Sequence, residues 1–371
     1  MVTERDNTLE VIGFYMRYPI HSTTTKIRSV LVTGLLAAVA WLPLQAEAVN
    51  RKDELPQRPA IMSAKAAKAL LTDVSVSGNR IAVVGERGHI LTSTDDGRTW
   101  TQGKVPVQTL LTGVHFVSEQ EGWAIGHEAL ILHTRDGGET WEVQYANPHK
   151  QFSDEELDQL TEEEFNQLPR YGSPLLDLWF KNEKEGFVVG AYGMLLFTRD
   201  GGASWEDWSD RIDNPDNWHL NAVGSADGTT LYIAGEKGQL FRSQDGGSTW
   251  TTLTGPYEGS YFGMMIGPAP EHVIVFGLAG NLFVTEDAGD TWSEITSPTE
   301  SSLMSGVRLD QQNLILVGNS GSILISKDGG KSFTLQTTKD RQAIVGIAKT
   351  PGGKLLMVGQ GGVKLASPAS M

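Results

Sequence analysis

The chain has 371 residues, no cysteine and a formal net charge of −15. Lacking cysteine, it cannot be a disulfide scaffold, a thiolate metal protein or a thiol enzyme. Its acidity argues against nucleic acid, whose phosphates need basic surfaces, and disfavours docking on anionic lipid headgroups.

In chain order, the first segment reads as an export signal. Lys26 and Arg28 precede an apolar run from Val30 to Leu44, followed by Ala46-Glu47-Ala48. Basic flank, short apolar core and small-residue site in that order define a secretory signal peptide, and the run is shorter than the ~20 residues of a membrane span. Residues 1–48 are assigned to a signal peptide with an N-terminal extension, translation starting at Met1 or Met16, cleavage falling after Ala48. Residues 49–371 form one domain of unchanged charge, with 26 basic and 41 acidic residues. No cysteine stands at the cleavage site to carry a lipid anchor. The expected location is periplasmic or secreted, or the thylakoid lumen in a photosynthetic host.

From residue 93 onward one phrase, Ser/Thr-x-Asp-x-Gly-x-Ser/Thr-Trp, recurs six times: Ser93–Trp100, Thr134–Trp141, Thr198–Trp205, Ser243–Trp250, Thr285–Trp292 and Ser326–Phe333. Successive aromatics are 41, 64, 45, 42 and 41 residues apart. A period near 40 residues marks a propeller or solenoid, and the single long interval holds an insertion of roughly 20 residues. Around each phrase lie four short apolar runs separated by turn residues, the pattern of a four-stranded blade. The second run recurs as Ala82–Gly85, Val188–Gly190, Tyr232–Gly235, Val275–Gly277 and Leu316–Gly318. These small, β-branched stretches suit strands covered on both faces.

The last such run, Met357–Gly359, belongs to a seventh unit over Ala343–Ser367 that has three strands and no phrase. The expected fold is therefore an all-β, seven-bladed propeller of four-stranded antiparallel blades. The segment Pro59–Lys65 is expected to supply the missing outer strand of blade seven and close the ring.

The phrase reads as a folding device. Asp95, Asp136, Asp200, Asp245, Asp287 and Asp328 accept hydrogen bonds from backbone N–H groups about two residues on. Gly97, Gly138, Gly202, Gly247, Gly289 and Gly330 supply positive φ. Trp100, Trp141, Trp205, Trp250, Trp292 and Phe333 open the fourth strands and bury against a neighbouring blade. A calcium loop needs six to eight oxygens, more than one phrase offers; no metal, cofactor or catalytic residue is assigned.

The phrase resembles the Asp-box, or bacterial neuraminidase repeat, found in sialidases, some glycanases, sortilin-type receptors and photosystem II stability and assembly factors. The sialidase Phe/Tyr-Arg-Ile-Pro phrase is missing after residue 48; Arg17-Tyr18-Pro19-Ile20 imitates it poorly. Pro59–Ala67, Leu70–Val74, Arg80–Leu91, Trp100–Val107, Leu111–Phe116 and Gly122–His127 are similar to the start of the assembly-factor propeller. The resemblance implies a non-enzymatic scaffold, monomeric, that binds a membrane-protein subunit during complex assembly or repair. In a photosynthetic host that subunit would belong to the photosystem II reaction centre. The absent lipid-anchor cysteine and the acidic insertion depart from that family's pattern. The alternative is a glycan-binding or glycoside-hydrolysing Asp-box propeller, with Trp123, Trp179, Tyr192 and Trp218 as sugar platforms.

Propeller connectivity puts the phrases on one face and the second-to-third turns and interblade links on the other. The candidate partner face comprises Glu86, Arg87, His127, Glu128, Tyr192, Glu236, Lys237, Asn319 and Gln360, with Asp154, Glu155, Glu162 and Glu163 of the insertion at 147–174. Ser153–Glu156 and Thr161–Glu164 each match a helix capping box, and Leu157, Leu160, Phe165 and Leu168 offer an apolar stripe. Two short acidic helices are expected there. His127, His149 and His219 share the face with Glu86, Glu128 and Glu236, but at spacings that match no metal motif.

Overall fold

The computed structural model describes residues 48–368 except 162, 163, 166 and 167. All of the signal-peptide assignment but its last residue, Ala48, therefore lies outside the described residues. The described chain falls in one compact unit. Among these residues no helix is long and apolar enough to cross a membrane.

Seven antiparallel sheets follow one another along the chain. Blade 1 is β1 (Leu71–Ser77), β2 (Arg80–Gly85), β3 (Ile90–Ser93) and β4 (Thr101–Gln102); blade 2 is β5 (Leu111–Phe116), β6 (Gly122–Gly126), β7 (Ile131–Thr134) and β8 (Glu142–Tyr145). Blade 3 is β9 (Leu175–Phe180), β10 (Gly186–Gly190), β11 (Leu195–Thr198) and β12 (Glu206–Asp207), and blade 4 is β13 (Leu220–Ser225), β14 (Leu231–Gly235), β15 (Leu240–Ser243) and β16 (Thr251–Thr252). Blade 5 is β17 (Tyr261–Ile266), β18 (Val273–Gly277), β19 (Leu282–Thr285) and β20 (Ser293–Glu294), and blade 6 is β21 (Leu303–Arg308), β22 (Leu314–Gly318), β23 (Ser322–Ser326) and β24 (Thr334–Thr337). Blade 7 has three strands, β25 (Ile344–Lys349), β26 (Leu355–Gly359) and β27 (Lys364–Ala366).

First strands touch the first strands of both neighbouring blades, and β1 meets β25, so the ring closes. From β6 onward, each second strand is buried at every residue, because another blade covers each face.

Side chains stitch some inner strands together. Thr72 donates its hydroxyl to the Leu111 carbonyl at 2.8 Å, and Thr112 to that of Leu175 at 2.6 Å. Asp73 accepts the Val114 N–H at 2.9 Å, and Asp177 that of Val223 at 2.9 Å.

Closure differs from the sequence expectation. No strand forms over Pro59–Lys65, and blade 7 keeps three strands. The N-terminal segment instead runs as a strap across the blade rims. Ala48 N–H bonds Trp205 O of blade 3, Arg51 N–H bonds Ala146 O beyond β8, Ala60 N–H bonds Val105 O beyond β4, and Val363 N–H of blade 7 bonds Ala67 O. The side chain of Gln102 reaches Ile61 O while accepting the Ser63 N–H. These side-chain and single backbone bonds occupy the segment that a closing strand would have used. The seam between blades 7 and 1 is packed by Ala66, Leu71, Ile81, Val83, Leu91, Leu356 and Val358.

Candidate functional site

The six phrases adopt one hydrogen-bond scheme. In the fifth, Thr285 donates its hydroxyl to Asp287 at 2.7 Å and accepts the Gly289 N–H at 2.8 Å. Asp287 then takes the N–H of Thr291 at 2.8 Å and its hydroxyl at 2.6 Å. Asp95, Asp136, Asp200, Asp245 and Asp328 accept the N–H of the residue four positions on in the same way. The bond spans four residues, not the two or so read from the sequence, because the glycine between turns the chain back at positive φ. That φ is 85° at Gly202 and 97° at Gly330. At Gly202 a Cβ would also lie 2.0 Å from Gln144 Oε1.

Two donors on each carboxylate favour its charged form. The Thr291 hydroxyl, then its N–H, hold Asp287 down at about 2, and the Ser332 hydroxyl and N–H do the same for Asp328. The Thr99 hydroxyl and N–H hold Asp95 well below the usual carboxylate range.

Each aromatic wedges between its own blade and the preceding one. Trp141 joins Ala82, Val84 and Ile90 of blade 1; Trp205 joins Trp123, Ile125 and Ile131 of blade 2; Phe333 joins Ile274 and Phe276 of blade 5. These three are buried. Trp100, Trp250 and Trp292 pack against their clusters but are only half-buried, so the expected burial is partial at these three. The cleft between blades 6 and 7 has no box aromatic, since blade 7 has no phrase; Ile315, Val317, Ile344 and Met357 fill it.

The first phrase has one departure that sequence reading missed. Asp96 stands where the others carry glycine or alanine, at φ 66°. It accepts the Gly352 N–H at 2.8 Å and lies 3.6 Å from Lys354 Nζ, across the blade 1–blade 7 seam. The phrase face thus also carries first-to-second turns.

On the opposite face, the second-to-third turns repeat a strained signature. Arg87, Tyr192, Lys237, Ala279 and Ser320 hold φ of 53–57°, each followed by a glycine at positive φ. The glycine is required by contact: a Cβ on Gly88 would lie 2.1 Å from Val107 O. Gly88 N–H bonds Thr109 O, and Gly238 N–H bonds Gly259 O, joining these turns to the interblade links.

Several candidate face residues are engaged in building it. Glu86 accepts the Leu70 N–H at 3.3 Å, Glu236 the His219 N–H at 3.1 Å and Gln360 the Ala343 N–H at 3.3 Å. Glu128 accepts the His149 N–H at 2.6 Å, and the backbone bonds Asn147 N–H to Glu128 O and Glu128 N–H to Gly172 O seat the insertion on this turn. Asn319 sits at the turn's start, its N–H on Ser302 O. Arg87 and Lys237 are exposed; Lys237 lies 5.6 Å from the Trp218 ring. Tyr192 meets His219 edge-on at 5.1 Å and gives its N–H to His219 Nδ1. Burial pushes the imidazoles of His127 and His219 down.

The insertion leaves and re-enters at neighbouring points, Gly172 N–H bonding Asn147 O at 2.8 Å. Both capping boxes close: Ser153 and Glu156 exchange bonds of 2.9 and 3.2 Å, as Thr161 and Glu164 do at 2.8 and 3.2 Å. The first opens a single turn, α1 (Asp154–Leu157), which contains Asp154 and Glu155. Glu162 and Glu163 lie outside the described residues. Phe165 is 58% exposed, so it does not join the apolar stripe with Leu157, Leu160 and Leu168.

Two of the four aromatics expected as sugar platforms lie in the core, whereas Tyr192 and Trp218 are half-buried on the turn face. Trp123 is fully buried, stacked 3.7 Å from Phe180, and Trp179 is half-buried in the core of blades 3 and 4. Among the described residues, no three His, Asp or Glu side chains gather where they could hold a metal ion.

A ring of seven blades, six carrying the turn scheme above, defines an Asp-box propeller. The profile of the family described as Photosynthesis system II assembly factor YCF48 matches residues 100–166 and 160–305, more than half of the chain. The chain belongs to that family. It is 40% identical over 78 residues to Photosystem II assembly lipoprotein Ycf48 of Synechococcus sp. (strain CC9902), spanning 21% of this chain and 23% of that protein. To Photosystem II assembly protein Ycf48 of Synechococcus sp. (strain JA-2-3B'a(2-13)) it is 27% identical over 181 residues, 47% of this chain and 46% of that one. The chain thus spans from under a quarter to about half the length of these curated relatives. The solved structure described as YCF48 bound to D1 peptide superposes with a TM-score of 0.62 at 18% identity, covering 81% of this chain and 93% of the other. At that identity the likeness speaks for the fold.

Proposed function

We propose that this chain is an exported, non-enzymatic assembly scaffold that binds a membrane-protein subunit on the face of the second-to-third turns. One observation carries the reading: the acidic insertion and the strained turns meet on one face, with Glu128 and Gly172 seating the insertion there. Loops held on one side of a rigid scaffold are where binding concentrates. A relative whose structure is described as bound to D1 peptide supports the class of partner. Exposed Arg87 and Lys237 present charge at turns whose backbone is fixed, which lowers the entropy lost on binding.

The test uses the near-closed base of the insertion. Residues 150–170 are excised and bridged by Gly-Ser, and partners are recovered from cross-linked cell envelopes with the parent and excised proteins. The expected result is loss of one specific membrane protein with thermal stability within a few degrees of the parent. Unchanged recovery, with stability alone reduced, would refute a docking role for the insertion.

A further inference from the structure

The net acidity of the chain conceals an uneven ring. Residues 56–110 and 301–371, which carry the strap over blade 1 and blades 1, 6 and 7, hold 15 basic and seven acidic side chains, net +8. The other residues from 49 onward hold 11 basic and 34 acidic, net −23. Within the positive sector the strap is the extreme. From Leu55 to Thr72 there is no Asp or Glu, and Arg58, Lys65 and Lys68 are all exposed. Among the described residues none of these three is ion-paired, whereas Lys354 and Lys364 of blade 7 are paired with Asp96 and Asp340.

Between these cations the strap shows apolar side chains to solvent. Ile61 and Met62 are adjacent, and 61% and 60% exposed. Exposed aliphatic residues scattered singly need no explanation, but a neighbouring pair makes a patch. Leu365, 38% exposed, extends it onto blade 7, two residues beyond Val363, whose N–H holds Ala67 O of the strap. The backbone under the pair is fixed. Gln108 donates to Pro59 O at 3.0 Å, Ala60 N–H bonds Val105 O at 2.9 Å, and the Gln102 amide bonds Ile61 O and the Ser63 N–H at 3.1 and 2.9 Å. Ala60 turns inward onto the core between blades 1 and 2, and the two larger residues after it are left outside.

We infer that the rim over blades 7 and 1 is a membrane-contact surface, which rests on an anionic bilayer leaflet. Ile61, Met62 and Leu365 enter the boundary between headgroups and acyl chains, and Arg58, Lys65 and Lys68 meet lipid phosphates around them. Apolar groups ringed by cations hold peripheral proteins at such an interface. Charge complementarity selects this occupant: the patch matches a surface that is negative outside and apolar beneath, whereas an acidic peptide would leave Ile61 and Met62 in water. The same leaflet repels the acidic remainder of the ring, so the contact also orients it, with blade 4 on the far side. The acidity of the whole chain disfavours lipid on average, not at this rim. The surface is separate from the turn face of the proposed function and stands or falls independently of it.

Because the chain has no cysteine, a single Met62→Cys can carry an environment-sensitive nitrobenzoxadiazole dye on the full chain. The probe is vesicles of three parts phosphatidylglycerol to seven of phosphatidylcholine, at low salt. The dye is expected to shift to the blue and to be quenched by nitroxide lipids, while the same dye at Thr252→Cys, on the exposed rim of blade 4, stays in water. The shift, rather than recovery with vesicles, is the readout, since it reports contact at the strap itself. Half-maximal shift is expected to need at least tenfold more lipid with Ile61→Ser/Leu365→Ser, with Arg58→Gln/Lys65→Gln/Lys68→Gln, and with vesicles of phosphatidylcholine alone. A dye at position 62 that stays in water on anionic vesicles, or a shift that survives either set of substitutions, would overturn the proposal. So would an equal shift with polyglutamate, which would assign the patch to an acidic polypeptide. Sedimentation without lipid is expected to give the same species for the parent and Ile61→Ser/Met62→Ser; self-association lost in that variant would make the occupant a second copy and overturn the proposal. All substituted positions are exposed, so circular dichroism of the variants should match the parent.

Discussion

Replacing Trp205 by alanine tests the wedge role of the box aromatics most directly. Trp205 is 3% exposed and meets Phe180 edge-on at 6.1 Å, among Trp123, Ile125, Leu178 and Val188. Truncating such a ring costs about 3–5 kcal/mol, transfer and cavity together. One correction is specific to this site: the Trp205 indole N–H is buried without an acceptor, whereas that of Trp141 reaches Gly138 O at 3.2 Å. An unmade bond of that kind already costs the native state about 1–3 kcal/mol. Trp205→Phe removes the orphaned donor while keeping most of the ring, and box six carries phenylalanine at this position naturally. The expected order in urea unfolding is therefore parent, then Trp205→Phe within about 1.5 kcal/mol, then Trp205→Ala about 3–5 kcal/mol below the parent. Trp250→Ala, at a half-buried ring, should fall clearly short of the Trp205→Ala loss. A Trp205→Ala loss under about 1 kcal/mol, or Phe and Ala variants of equal stability, would refute the wedge.

Two further predictions concern charge. Burial pushes Asp73 up to about 7, and burial together with the nearby Asp73 carboxylate does the same for Asp177. A raised carboxylate pKa gives stability that is full below about pH 4 and is lost as pH rises through 7. The depressed box carboxylates act the other way, their stability being present above pH 4 and lost toward pH 2. Asp73→Asn should therefore flatten the decline in melting temperature between pH 4 and 7 and leave the acid limb unchanged; an unaltered profile would exclude Asp73 as its source. At the seam, Asp96→Gly relieves a positive φ worth about 1 kcal/mol but removes a charged bond to Gly352 N–H worth about 1.5–3. The variant should melt lower than the parent, and an equal or higher melting temperature would show that the ring closes without this latch.

How far the sequence could be read depended on the range of the interaction. The box aspartates, their glycines and the two capping boxes are contacts within four residues, and their pattern was plain in the chain. The ring of turn residues was also legible, because propeller connectivity dictates its face. Glu86, Glu128 and Glu236, read as free charges for a partner, turned out to hold backbone N–H groups of distant links. Nothing in their local sequence signals that, since the links they cap enter the face 16 to 21 residues away.

The repeat period by itself determined the number of blades, their antiparallel order and the absence of a phrase in the seventh, because each blade is a local unit whose strands are neighbours in sequence. Closure was decided only in three dimensions. Whether the N-terminal segment pairs with β27 or straps the rims depends on contacts between residues up to 296 apart, such as Ala67 with Val363. The latch at Asp96 joins residues 256 apart.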